Sequence, residues 1–241
     1  MGSFEVTGGK KLKGEITPQG AKNEALQVIS AVLLTKEKII IHNIPDITDV
    51  NLQIELLEGL GVSIERIDRH TCSFKAENVD VNFLSTSSFQ QTTGRSRGSV
   101  MLAGPLLSRF KKAYIPKPGG DKIGHRRLDT HILGFKKLGA RYDYRTKESF
   151  FYLHASRLKG TYILLDEPSV TGSANLIMAS VLAEGITTLF NCACEPYIQQ
   201  LCKMLNRMGA DISGIGSNML TIKGVQEMQG TEHHILPDMI E

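Results

Sequence analysis

One short segment recurs three times in this 241-residue chain and constrains its fold more than any other feature. A hydrophobic residue, a glycine and a small residue stand together at Leu60-Gly61-Val62, Leu138-Gly139-Ala140 and Met208-Gly209-Ala210. Three residues before each triplet stand Leu57, Phe135 and Leu205, and ten before stand Val50, Leu128 and Ile198. Those offsets fall on one face of a helix. The glycine then sits where a helix C-terminus wants a left-handed residue. Alternation marks a strand after each glycine, through Val62 and Ile64, Ala140 and Tyr142, and Ala210 and Ile212. A second strand returns soon after, carrying Cys72 and Phe74, Phe151 and Leu153, or Leu220 and Ile222.

Another helix and strand precede each segment: 23–34 with 38–42, 97–108 with 113–116, and 172–183 with 187–191. These helices carry few charges, as in Ile177-Met178-Ala179-Ser180-Val181-Leu182-Ala183, and a helix apolar nearly all round is a buried one. An opening strand is expected at 13–17, 79–83 and 161–165. The unit is therefore β-α-β-α-β-β, present three times. The fold class expected is α/β, an inside-out barrel with the helices inside and the sheets outside. One complete three-repeat domain covers 21–229. Residues 1–20 and 230–241 fit no repeat and are expected to be strands of a second, mostly absent domain, the chain being a fragment.

No stretch approaches the roughly 18 apolar residues a membrane span needs, and no signal segment opens the chain. Cys72, Cys192, Cys194 and Cys202 lack CxxC spacing and read as reduced thiols of a cytoplasmic protein, with no metal implied. His233-His234 read as surface residues.

Charge is concentrated. From Gly94 to Arg127 nine residues are Lys or Arg and Asp121 is the single acid, a local charge of +8 in a chain of net +3. Pro116, Pro118, Gly119, Gly120 and Gly124 make 116–131 a shaped loop. On charge alone a solvated basic loop accounts for it. The sharper reading is an anion site with one carboxylic acid placed for proton transfer. Without tryptophan, and with only Phe110 and Tyr114 among these basic residues, nucleic acid is a poor fit. The helix starts repeat the pattern. Gly20-Ala21-Lys22-Asn23 and Gly94-Arg95-Ser96-Arg97 put cations where backbone N–H groups invite an anion. Ser169-Val170-Thr171-Gly172-Ser173 is a hydroxyl-rich third start, or an ordinary N-cap.

Taken together, Gly20-Ala21-Lys22-Asn23, Pro118-Gly119-Gly120 with Ile123-Gly124 and Arg126, Leu128-Asp129-Thr130-His131, Ser169-Val170, Glu195-Pro196 and Leu236-Pro237-Asp238 resemble the UDP-N-acetylglucosamine 1-carboxyvinyltransferase family of enolpyruvyl transferases. The resemblance runs from Gly2 to Glu241 and matches the first half of such an enzyme. It implies two domains with substrates between them, no cofactor, and transfer of the enolpyruvyl group of phosphoenolpyruvate to UDP-N-acetylglucosamine. By resemblance Lys22 and Arg126 hold the phosphate or carboxylate of phosphoenolpyruvate. Asn23, Arg97, Arg126, Arg127, Leu128, Asp129, Thr130, Ser169, Val170 and Thr171 line the nucleotide-sugar site. Asp121 takes the place of the proton-donating loop residue, usually cysteine. Thr171-Gly172 departs from a shorter family turn, and the general base lies in the absent half. The alternatives are the sister enzyme acting on 3-phosphoshikimate, disfavoured by Leu128-Asp129-Thr130-His131, and a non-catalytic anion- or RNA-binding module of the same repeat.

Family members are inactivated by fosfomycin through alkylation of the loop cysteine, and a carboxylic acid is a far poorer nucleophile. The complete enzyme carrying this sequence is expected to resist the drug, and Asp121→Cys to become sensitive. Phosphate-release assays with and without fosfomycin check both. Rapid inactivation of the unsubstituted protein would remove Asp121 from that role.

Overall fold

The glycine turn anticipated three times is built three times, with the same bonds. The computed structural model describes residues 3–116, 128–145 and 150–240. Helices α2 (Thr48–Gly59), α5 (Asp129–Lys137) and α7 (Pro196–Arg207) end in Gly61, Gly139 and Gly209, whose φ angles are 87°, 97° and 97°. The next residue donates back across the turn: Val62 N to Leu57 O at 3.0 Å, Ala140 N to Phe135 O at 2.9 Å, and Ala210 N to Leu205 O at 3.0 Å. The glycine N–H closes the inner bond in each case, so carbonyls that the helix end would orphan are paired.

The strands follow suit. β1 (Lys38–His42), β3 (Thr71–Lys75) and β2 (Ser63–Asp68) lie side by side in that order. β4 (Lys112–Pro116), β6 (Phe150–His154) and β5 (Arg141–Arg145) repeat the arrangement. So do β8 (Ile186–Phe190), β10 (Met219–Lys223) and β9 (Asp211–Ser213). All six pairings are antiparallel. Each sheet turns one face inward, as Leu220 and Ile222 do from β10.

Inside lie α1 (Lys22–Ala31), α4 (Ala103–Phe110) and α6 (Val170–Ser180). Every residue of α6 from Gly172 to Ser180 is buried. Backbones approach closely there, and a Cβ on Gly104 would strike the Asn175 carbonyl. Asn175 satisfies the polar groups at that crossing, donating Nδ2 to Val100 O at 3.0 Å and accepting Gly104 N at 2.7 Å. The chain is thus an α/β fold with helices inside and sheets outside. Among the described residues no helix is long and apolar enough to cross a membrane.

The opening strands depart from expectation. Only the third forms, as β7 (Tyr162–Leu164), parallel to β8. Residues 13–17 make no strand. Leu12 and Ile16 are exposed there, and among the described residues no strand pairs with this segment. In place of 79–83 stands a 3₁₀ turn, Val81–Ser85, begun by Asp80, whose carboxylate accepts Asn82 N at 2.9 Å and so competes with sheet pairing. An additional helix, α3 (Ser87–Thr93), capped by Thr86, follows it. The expected helix 97–108 is split into a 3₁₀ turn, Arg97–Leu102, and α4.

The first sheet takes its fourth strand from the far end of the chain. β11 (Thr231–His234), placed by the sequence in a second domain, pairs parallel with β1. It reproduces β7 bond for bond. Ile235 N donates to His42 O at 3.1 Å, as Leu165 N does to Phe190 O at 3.0 Å. Asn43 and Asn191, both left-handed at φ 57° and 60°, donate Nδ2 to Ile235 O and Leu165 O at 2.9 and 3.0 Å. Pairing with β11 satisfies an edge that β1 would otherwise leave bare.

The three glycine turns differ in what an added methyl would meet. At Gly209 it meets nothing, whereas at Gly61 it would sit 2.6 Å from Asn78 O. Gly209→Ala is expected to cost about 1 kcal/mol, from the left-handed backbone alone, and Gly61→Ala clearly more. Urea unfolding of the two variants measures the difference, and equal costs would contradict the geometry.

Candidate active site

Three buried segments point their N-terminal ends at one cleft of about 200 Å³. Lys22, Asn23 and Gln27 enter it from α1, Arg95 and Arg97 from the 3₁₀ turn and the residues before it, and Val170 and Thr171 from α6. Five residues expected from the sequence, Lys22, Asn23, Arg97, Val170 and Thr171, thus share one concave surface.

The start of α1 is held from far away in sequence. No side chain caps it locally. Instead Lys22 N donates to Asp238 Oδ2 at 3.0 Å and Ala21 N to Leu236 O at 2.7 Å. Gly20 permits the crossing, since a Cβ there would collide with the Asn43 carbonyl. Below, a chain of polar groups runs inward from the surface. Arg207 Nη2 donates to His233 Nδ1 at 2.6 Å, and His233 Nε2 donates to Glu24 Oε1 at 2.8 Å. Leu236 N donates to Glu24 Oε2 at 3.3 Å. The Glu24 and His233 side chains are each 1% exposed. His233 is therefore interior, against the surface reading, because burial in β11 turns it toward α1.

Asp49, at the start of α2, is a cleft residue the sequence did not single out. Its carboxylate pairs with the Lys22 ammonium and accepts Ser96 Oγ at 2.7 Å. Partial burial pushes its pKa up, but the hydrogen bonds from Lys22 and Ser96 and the lysine charge outweigh that and leave it below the usual carboxylate range. Acidic residues are so common in first helical turns that nothing in the sequence marked this one.

Thr171 is oriented from beneath by His131. Asn175 Nδ2 donates to His131 Nδ1 at 3.1 Å, so the neutral ring carries its proton on Nε2, 3.2 Å from Thr171 Oγ1. Burial, with the nearby Arg97 charge, pushes the His131 pKa down to about 4. Ser169 is the N-cap of α6, its Oγ accepting Gly172 N at 3.2 Å. Leu128, Asp129 and Thr130 start α5 outside this cleft. Thr130 donates to Asp166 Oδ1 at 2.6 Å and lines a second, more apolar hollow of about 300 Å³ with Leu133 and Leu164. Asp121, Arg126 and Arg127 lie outside the described residues.

The family model described as EPSP synthase (3-phosphoshikimate 1-carboxyvinyltransferase) matches residues 6–241. The chain belongs to the EPSP synthase family. Among curated members, the UDP-N-acetylglucosamine 1-carboxyvinyltransferase of Porphyromonas gingivalis is 58% identical over 241 residues, which make up 100% of this chain and 56% of that protein. The enzyme of the same name from Treponema denticola is 46% identical over the same length, 55% of its own. The chain spans about half the length of the curated relatives it matches. Among solved structures, the enolpyruvyl transferase NikO from Streptomyces tendae superimposes with a TM-score of 0.82 at 20% identity, covering 97% of this chain and 54% of that one. EPSP synthase from Acinetobacter baumannii gives 0.72 at 18% identity, covering 95% and 52%. Both share the fold.

In this member of the EPSP synthase family the buried His131 makes a pH prediction. Its folded pKa of about 4 lies below the ordinary 6.5, so between those values the unfolded chain binds the extra proton and stability falls as pH falls. Between pH 7 and pH 5 the wild type is expected to lose about 2 kcal/mol more than His131→Gln. Urea unfolding at the two pH values checks it, and parallel losses would show that His131 titrates normally.

Proposed function

We propose that this chain is the cation-lined half of an enzyme that transfers the enolpyruvyl group of phosphoenolpyruvate to the 3-hydroxyl of UDP-N-acetylglucosamine, releasing phosphate. This is a cytoplasmic step in peptidoglycan synthesis. The carrying observation is the cleft where Lys22, Asn23, Arg95 and Arg97 meet at helix starts, in a chain 58% identical to proteins named for that reaction. Reading it as 3-phosphoshikimate chemistry draws on the family description and the shared fold, which carry less than the whole-chain relatives do.

In this proposal Lys22 and Arg126 bind the anionic groups of phosphoenolpyruvate. Asn23, Arg97, Arg126–Thr130 and Ser169–Thr171 face the nucleotide-sugar. Asp121 delivers a proton to the methylene carbon of phosphoenolpyruvate while the sugar hydroxyl oxygen bonds to the adjacent carbon. The tetrahedral intermediate then loses a proton from its new methyl group to a base and expels phosphate, which restores the carbon–carbon double bond. Fixed cations offset the charge of two phosphorylated ligands, and Asp49, kept ionised, holds the Lys22 ammonium at the cleft until a ligand anion competes for it. The reaction needs no metal or cofactor. The part of the full-length protein that this chain does not span is proposed to form a second domain that closes the cleft and brings the general base.

The test is phosphate release from phosphoenolpyruvate by the full-length protein. It is expected with UDP-N-acetylglucosamine as acceptor, and not with 3-phosphoshikimate or with the 241-residue chain alone. Arg97→Ala should weaken nucleotide-sugar binding at least tenfold, since a charged hydrogen bond is worth roughly 1.5–3 kcal/mol. Unchanged affinity by calorimetry would move the nucleotide-sugar out of this cleft.

A further inference from the structure

One polar group in the cleft has no part in these contacts. Gln27 lies one helical turn beyond Asn23 on α1, so both side chains leave the same face. It lines the cleft beside Leu26, Arg97 and Met101, yet the residue is only 1% exposed. Its Oε1 is buried and meets no donor among the described residues. The other buried glutamine against this helix is different. Gln53 of α2 donates Nε2 to Ser30 Oγ at 2.8 Å, and Ser30 Oγ donates in turn to Leu26 O at 2.7 Å. Orphaned amide oxygens are rare in folded proteins because the lost hydration goes uncompensated. One kept at a ligand cleft is accounted for if the ligand supplies the donor. The cations of the cleft suit phosphate or carboxylate oxygens. Gln27, neutral and flanked by apolar Leu26 and Met101, suits a neutral N–H or O–H.

We propose that Gln27 is a specificity-determining residue for the sugar half of the nucleotide-sugar. Its amide, turning about the last side-chain torsion, accepts a hydrogen bond at Oε1 from a sugar hydroxyl or the acetamido N–H. The inference rests on the functional reading above and adds to it a contact with the uncharged part of the ligand. A purely structural glutamine and a ligand contact differ in sign. Removing an unpaired buried amide leaves the empty protein as stable as before, or more so, while removing a ligand contact weakens binding.

The experiment compares wild type, Gln27→Met and Gln27→Leu in the full-length protein, by calorimetry with UDP-N-acetylglucosamine and with UDP, and by thermal unfolding without ligand. Both variants should bind UDP-N-acetylglucosamine about tenfold more weakly, bind UDP as the wild type does, and melt no lower. Unchanged affinity for UDP-N-acetylglucosamine overturns the proposal, as does an equal loss for UDP. Lower melting temperatures in both variants mark the amide as structural and overturn it too. A wild type that binds neither ligand overturns the functional reading itself, a result obtained before any variant is made.

Discussion

A carboxylate buried under the first turn of α1 joins the two ends of this fold. Glu24 accepts one hydrogen bond from His233 and one from the backbone of Leu236, more than 200 residues on. Arg207 supports the far side of His233. A buried polar group is tolerated only when its hydrogen-bond partners are in place, so this group ties α1, α7 and the strand β11 to one another. Two features follow. The first sheet acquires the strand that its own repeat lacks. The first helical turn acquires a cap, Asp238, that its own sequence does not provide.

The cleft inherits its shape from that arrangement. Three buried segments begin at the cleft, and Lys22, Arg95 and Arg97 line it because the chain enters the helical segments there. Their charge is already partly answered. Asp49 takes up the Lys22 ammonium, and Asp238 takes up the Lys22 N–H. An incoming anion therefore meets a Lys22 ammonium held in place by a carboxylate, which fixes its position and limits the attraction. His131 adds a neutral, buried support for Thr171.

Much of this was legible in the sequence wherever the information is local. The glycine turns needed only helix periodicity and one left-handed residue, and all three were placed correctly. The β1, β4 and β8 strands were within a residue of their observed bounds. What failed depends on partners distant in the chain. Alternation at 13–17 looks the same with or without a neighbouring strand, and among the described residues none pairs with it. The partner β1 does have begins at Thr231. In the site, Lys22 and Arg97 declared themselves by charge at helix starts, and Asn23 through the family resemblance. Glu24 and Gln27 are silent by contrast, being ordinary helix residues whose meaning comes from burial. Asp49 and His131 matter only through what lies opposite them.

Amide hydrogen exchange in wild type and Glu24→Ala tests most directly whether the far end of the chain frames the site helix. The N–H groups of Ala21, Lys22 and Leu236, bonded to Leu236, Asp238 and Glu24, should be protected in the wild type and lose protection together in the variant. Leu165 and Val225, whose bonds lie within the third repeat, should keep theirs. If Ala21 and Lys22 stay protected in the variant, or if the third repeat loosens equally, Glu24 does not join the two ends and the account is wrong.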